Sequence, residues 1–184
     1  MPRNKPRLQL ALYARPKHPG SYHYALLTSP KSTPKQQTNP ATKHHVKNTL
    51  LPQTISGELP TQPWRYERLA ISNIQLEQRL LVRIVIAKVT SSLDALERIL
   101  ETVPVYQTDD LDQVKAQSFN CLAWVRAALD ELRVARGGVV DGLGEWEEIQ
   151  AKAVEYVERK KEVGRWRGVG VPMLDLLDGR EVVG

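Results

Sequence analysis

One cysteine and four histidines carry most of the reactive chemistry in this chain. Cys121 is the only thiol, and the histidines are His18, His23, His44 and His45. A thiol attacks a carbonyl as the thiolate, so a reactive cysteine needs a neighbour to take its proton or a field that favours the anion. An imidazole supplies the first. A helix N-terminus supplies the second, through its unpaired N–H groups and its dipole. The stretch Asn120-Cys121-Leu122-Ala123-Trp124-Val125 offers such a start if Ser118 or Asn120 caps the helix. Leu111 and Val114 continue the apolar stripe backwards, however. They allow a helix that begins near Asp110 and leaves Cys121 in its middle. In that position a cysteine behaves as a small buried hydrophobe.

Other chemistries lack their residues. The chain has no glycine-rich phosphate loop, no Gly-x-Ser-x-Gly, no Cys-x-x-Cys and no His-Glu-x-x-His. One cysteine with scattered histidines falls short of the paired ligands that structural zinc requires, so neither a metal nor a cofactor is expected. His44 and His45 are adjacent, and on a strand they point to opposite faces. One site can therefore use only one of them directly.

A single cysteine forms no internal disulfide and fits a reducing compartment, so the chain is expected to be intracellular and cytoplasmic. The basic start and the apolar run from Leu8 to Ala14 imitate a signal peptide. The run is short, contains Gln9 and meets Arg15-Pro16-Lys17 without a good cleavage site, so it reads as a strand. Leu80 to Val89 is the most apolar stretch; Arg83 and Lys88 interrupt it, and it is too short to span a bilayer.

The elements that must position the cysteine and histidines divide the chain in two. The 184 residues suit one α+β domain, with residues 7–89 mainly β, 91–163 mainly α and 164–184 an extended tail. Leu8, Leu10 and Leu12 alternate with Gln9, Ala11 and Tyr13 over Arg7 to Ala14. Tyr22 to Ser29 forms a second strand with His23, Ala25 and Leu27 on one face. Thr42 to Leu50 forms a third with the His44-His45 pair, and Trp64 to Ile71 a weaker fourth. Leu80, Val82, Ile84 and Ile86 give the fifth strand a wholly apolar face, which suits the centre of a sheet. Residues 30–41 and 51–63 read as loops. Ser91-x-x-Asp94 resembles a capping box ahead of Leu93, Leu96, Ile99 and Leu100. A helix through Cys121, Val125, Ala128 and Leu132 ends at Gly137-Gly138, and Trp146 to Val157 forms the last. The expected architecture is an antiparallel sheet of about five strands with helices on one side.

Charge is uneven. Nine of the 26 basic residues and none of the 21 acidic ones fall in residues 1–57, as do all four histidines. The simple reading sets a basic half against an acidic half of one domain; the sharper one is a surface for anions. Nucleic acid is not expected as a partner, because the neutralising acids lie in the same domain. A small-molecule or peptide substrate is expected instead.

The order of these pieces resembles the circularly permuted branch of the papain-like NlpC/P60 superfamily, which includes lecithin–retinol acyltransferase-like proteins and PPPDE peptidases. The resemblance rests on Tyr22-His23-Tyr24-Ala25-Leu26-Leu27, on His44 or His45 in the next strand, and on Asn120-Cys121-Leu122-Ala123-Trp124-Val125. With Leu10-Ala11-Leu12-Tyr13 and His45-Val46-Lys47-Asn48, these pieces also resemble a group of small fungal proteins. It implies a permuted papain-like fold and a cysteine hydrolase or acyltransferase working through an acyl-enzyme. Cys121 would be the nucleophile, His23 the general base and later acid, and His45 the group that orients the imidazole. His44 is the alternative orienter, Asn120 an alternative support for the oxyanion, and the Cys121 N–H the expected oxyanion donor. A sulfur within hydrogen-bond reach of His23, and a thiol substantially ionised near neutral pH, are the physical signatures of that arrangement. The long interval between His45 and Cys121, with two extra elements in it, departs from the pattern. A catalytically inactive binding protein on the same fold is the competing reading.

Overall fold

The computed structural model describes residues 4–31, 39–49, 62–164 and 170–182. Five strands come first: β1 (Arg7–Ala14), β2 (Tyr22–Ser29), β3 (Ala41–Lys47), β4 (Arg65–Ile71) and β5 (Leu80–Val89). Four helices follow: α1 (Leu93–Thr102), α2 (Gln113–Ser118), α3 (Cys121–Val134) and α4 (Trp146–Glu162). Three short strands complete the described chain: β6 (Val140–Asp141), β7 (Met173–Asp175) and β8 (Arg180–Val182). The fold is α+β. The expected loops at 30–41 and 51–63 lie largely outside the described residues, as does Trp166.

The sheet is larger than the expected five strands and is mixed. Its order is β4-β3-β2-β1-β5-β7-β8, with β6 added at one end of β5. β7 runs parallel to β5 through Arg83↔Met173 to Val85↔Asp175, so the sheet is not purely antiparallel. Part of the expected extended tail is thus a strand pair. β5 has β1 on one side and β7 on the other, the central place its apolar face suits.

Alternation assigns every strand two faces. Leu8, Leu10, Leu12, Tyr22, Tyr24, Leu26, Val46, Val82, Ile84 and Ile86 share one core with α1, α3 and α4. Ala11, Tyr13, Ala25, Leu27, Ile71, Ile74 and Leu80 form a smaller cluster on the other face. All the long helices therefore lie on one side. The cap of α1 is Ser92, whose hydroxyl accepts from Ala95 N at 3.2 Å, one residue later than the expected capping box. No helix among the described residues is long and apolar enough to cross a membrane.

Candidate active site

Asn120 decides where Cys121 sits. Its backbone is extended, and its Oδ1 accepts from Leu122 N at 2.9 Å and Ala123 N at 3.0 Å. That makes it the N-cap, with Cys121 the first residue of α3. The continuous helix from Asp110 does not form. α2 is a separate short helix, and Leu111 and Val114, which suggested continuity, are exposed. With its carbonyl oxygen on the cap and its Nδ2 donating to Ser118 O at 3.3 Å, the Asn120 side chain is committed to the turn. Asn120 nonetheless lines the same cleft as Cys121.

The strands beneath Cys121 separate. β2 and β3 pair only through Leu26↔His44, Leu27↔Lys43 and Thr28↔Thr42. Toward Tyr22 on one strand and Lys47 on the other the ladder stops, although β3 continues to pair with β4 as far as Lys47↔Arg65. The sheet is forked there. Tyr24 N, left without a β3 carbonyl, donates to Cys121 Sγ at 3.5 Å. The sulfur occupies the crotch of the fork, with α3 on one face.

His23 and His45 close the fork from the other face. Each alternates with residues of the helix-side core, His23 between Tyr22 and Tyr24, His45 before Val46. His23 Nε2 and His45 Nδ1 lie 2.8 Å apart, a hydrogen bond across the gap. His45 Nε2 in turn lies 3.5 Å from Glu67 Oε2, its register partner on β4. His44 points the opposite way. It is fully buried, and its Nδ1 lies 2.8 Å from the Tyr66 hydroxyl. Strand alternation therefore brings His45, and not His44, to His23. His18 sits in the turn after β1, where its carbonyl accepts from Ser21 N and Oγ.

A cleft of about 700 Å³ joins these groups. Cys121, Asn120, His23 and His45 line it, with Tyr13, Val46 and Trp64 as its larger apolar walls. The Tyr13 hydroxyl is buried without a hydrogen-bond partner among the described residues. No hydrogen bond joins Cys121 Sγ to an imidazole among the described residues; the sulfur's partner is Tyr24 N. The expected Cys121–His23 hydrogen bond is therefore not formed.

The electrostatics of the cleft favour a neutral thiol and neutral imidazoles. Burial pushes the Cys121 thiol up, against the backbone N–H groups of Tyr24, Leu122 and Cys121 and the Arg15 charge, which pull it down. The expected resting thiolate does not follow, because desolvation outweighs the helix start. Burial, with the Lys43 and Arg15 charges, lowers His23 to about 4. Burial, then His23 and Lys43, lowers His45 to about 3 despite Glu67. Burial would raise Glu67, but the Lys47 ammonium at 2.6 Å holds it below its usual range. Among the described residues, no group of three or more His, Cys, Asp or Glu side chains is arranged to hold a metal ion.

Glu67 is the member of this chain that the sequence does not reveal. It lies on a strand with weak alternation, and its approach to His45 depends on cross-strand register. The nearest sequence signal is its position as a carboxylate on the strand after the histidines.

A cysteine at a helix N-terminus, facing two linked histidines across a forked sheet, defines the class of site. The chain itself belongs to a family of unknown function, DUF6914, whose profile matches residues 5–183. No curated protein and no solved structure matches it.

Proposed function

We propose that this protein is a cysteine hydrolase or acyltransferase with a permuted papain-like arrangement, acting on an amide, ester or thioester through an acyl-enzyme. The observation that carries the reading is Cys121, His23 and His45 on one cleft, drawn from a helix start and two strands, with Glu67 of a third strand behind His45. His23 Nε2 is engaged by His45, which leaves Nδ1 as the ring nitrogen for the thiol proton. In that tautomer Nε2–H donates to His45 Nδ1, and His45 Nε2–H faces Glu67.

The chemistry runs from a neutral pair. As Sγ bonds to the carbonyl carbon, His23 takes the thiol proton, and His45 with Glu67 stabilises the imidazolium that forms. The carbonyl oxygen becomes an oxyanion beside the Cys121 N–H, the first-turn donor that the Asn120 cap does not use. His23 returns the proton to the leaving group. Water or an acceptor nucleophile then attacks the thioester, with His23 again taking a proton, and the thiol is regenerated.

An activated p-nitrophenyl ester tests this. The folded protein is expected to release a burst of nitrophenolate and to carry an acyl group on Cys121 by mass spectrometry. His23→Ala is expected to slow the burst by roughly 10²–10⁴-fold, the usual contribution of a general base, while Lys152→Ala, on the exposed side of α4, leaves it unchanged. A folded chain that takes no acyl group, or takes it regardless of His23, overturns the reading. The raised thiol and the missing Cys121–His23 hydrogen bond favour a second reading, a binding protein that retains the architecture. That result would select it.

A further inference from the structure

The cleft is strongly cationic, and its cations are unequally satisfied. Arg15, Lys17, Lys43, Lys47 and Arg79 line it, and Glu77 is the one carboxylate in its described lining. Glu77 is taken by Lys43 at 2.8 Å, and Lys47 is taken by Glu67 at 2.6 Å. Arg15, Lys17 and Arg79 form no ion pair among the described residues. Such a concave, single-sign lining focuses the field and concentrates anions. The acid-free first 57 residues are thus not merely a basic half, because four of these five cations come from them and converge on one opening.

The positions are built. Arg15 follows β1, and the β1 end is tied to Arg79 by Ala14 N donating to Arg79 O at 2.8 Å. Arg79 is the one non-glycine residue with positive φ among the described residues, at 64°. A side chain in that region costs energy, so the turn holds an arginine where glycine would be easier. Arg15 and Arg79 therefore stem from one hydrogen-bonded corner, and both line the cleft. Arg15 also lies near enough to the reacting groups to lower both His23 and Cys121.

We propose that the cleft takes an acyl compound bearing an anionic group, a carboxylate or a phosphate, and that Arg15, Lys17 and Arg79 hold that anion beside the carbonyl presented to Cys121. This rests on the proposed acyl chemistry but deepens it, by naming what the substrate carries besides its acyl group. Guanidiniums suit either anion, since their fork matches two oxygens at once.

Two alkylating reagents of nearly equal size test the charge. Iodoacetate carries a carboxylate and iodoacetamide does not, and mass spectrometry reads the single cysteine directly. Relative to a free-cysteine peptide, Cys121 is expected to favour iodoacetate by roughly tenfold or more at low salt. Arg15→Gln and Arg79→Gln should each bring the ratio toward that of the peptide, while Lys152→Gln, on the exposed side of α4, should not. A wild-type ratio equal to the peptide's, or one that Lys152→Gln lowers as much, overturns the proposal. Calorimetry on Cys121→Ser with acetate and with inorganic phosphate separates the sources of the anion and does not depend on thiol reactivity. Binding that disappears in Arg15→Gln supports the site even if the acyl chemistry fails. Absence of binding by both anions overturns it even if His23 proves to be a catalytic base.

Discussion

The two ends of the β2–β3 junction obey different rules. From Leu26 to Thr28 the strands are zipped, and the helix-facing side chains enter a closed core. From Tyr22 to Ala25 they part, and the unpaired rim carries a sulfur, two imidazoles and a cleft. The same two strands supply both. At the zipped end, side chains are chosen for packing, as Leu26 shows with no exposed surface. At the open end, polar groups are drawn from the sheet because no neighbouring strand competes for them. A sheet can therefore create a site by omitting a few rungs, without a separate loop.

The largest expected difference between the two environments is in stability. Trp124→Ala removes a fully buried ring and should cost roughly 3–5 kcal/mol. Trp64→Ala, at the half-buried wall of the cleft, should cost less than half as much. Denaturant unfolding of both variants measures this, and equal losses would erase the distinction between closed core and open rim.

Acid should act on both sides. The unfolded chain protonates histidine near 6.5, whereas the folded chain keeps His44 and His23 neutral down to about 4 and His45 to about 3. Between those values the unfolded state binds the extra protons, so stability rises with pH through the window and is lost as pH falls through it. His44, sealed beneath the zipped side, should account for on the order of 2–3 kcal/mol of that loss. His44→Gln should flatten the dependence of stability on pH between about 6.5 and 4. An unchanged slope would show that the sealed histidine already protonates freely in the fold.

The smallest effect belongs to the cap. Asn120→Ala should lower stability by about 1 kcal/mol, and Asn120→Asp should restore most of it. If Asn120→Ala slows acylation of Cys121 far more than its stability loss explains, the cap also fixes where the sulfur points.

Strand alternation made much of this legible. Alternation puts Leu8, Leu10 and Leu12 on one face of β1, and His23, Ala25 and Leu27 on one face of β2. The adjacency of His44 and His45 showed that only one could serve a site, but not which. That choice depends on which face the helices cover. The pairing of His45 with Glu67 was hidden because period-2 patterning sets a face and leaves cross-strand register open. The short strands β6, β7 and β8 have two or three residues each, too few for alternation to register. Leu111 and Val114 misled in the opposite sense, because their helical spacing matched a stripe that the chain leaves in solvent.

The Tyr24 amide also gives this protein a reporter of its own. Its proton points at the sulfur instead of at a neighbouring strand, so whatever bonds to Cys121 changes the acceptor that this one backbone group sees. In a nitrogen-15-labelled sample, that single amide resonance follows the thiol through each covalent state it enters, with no substrate absorbance needed.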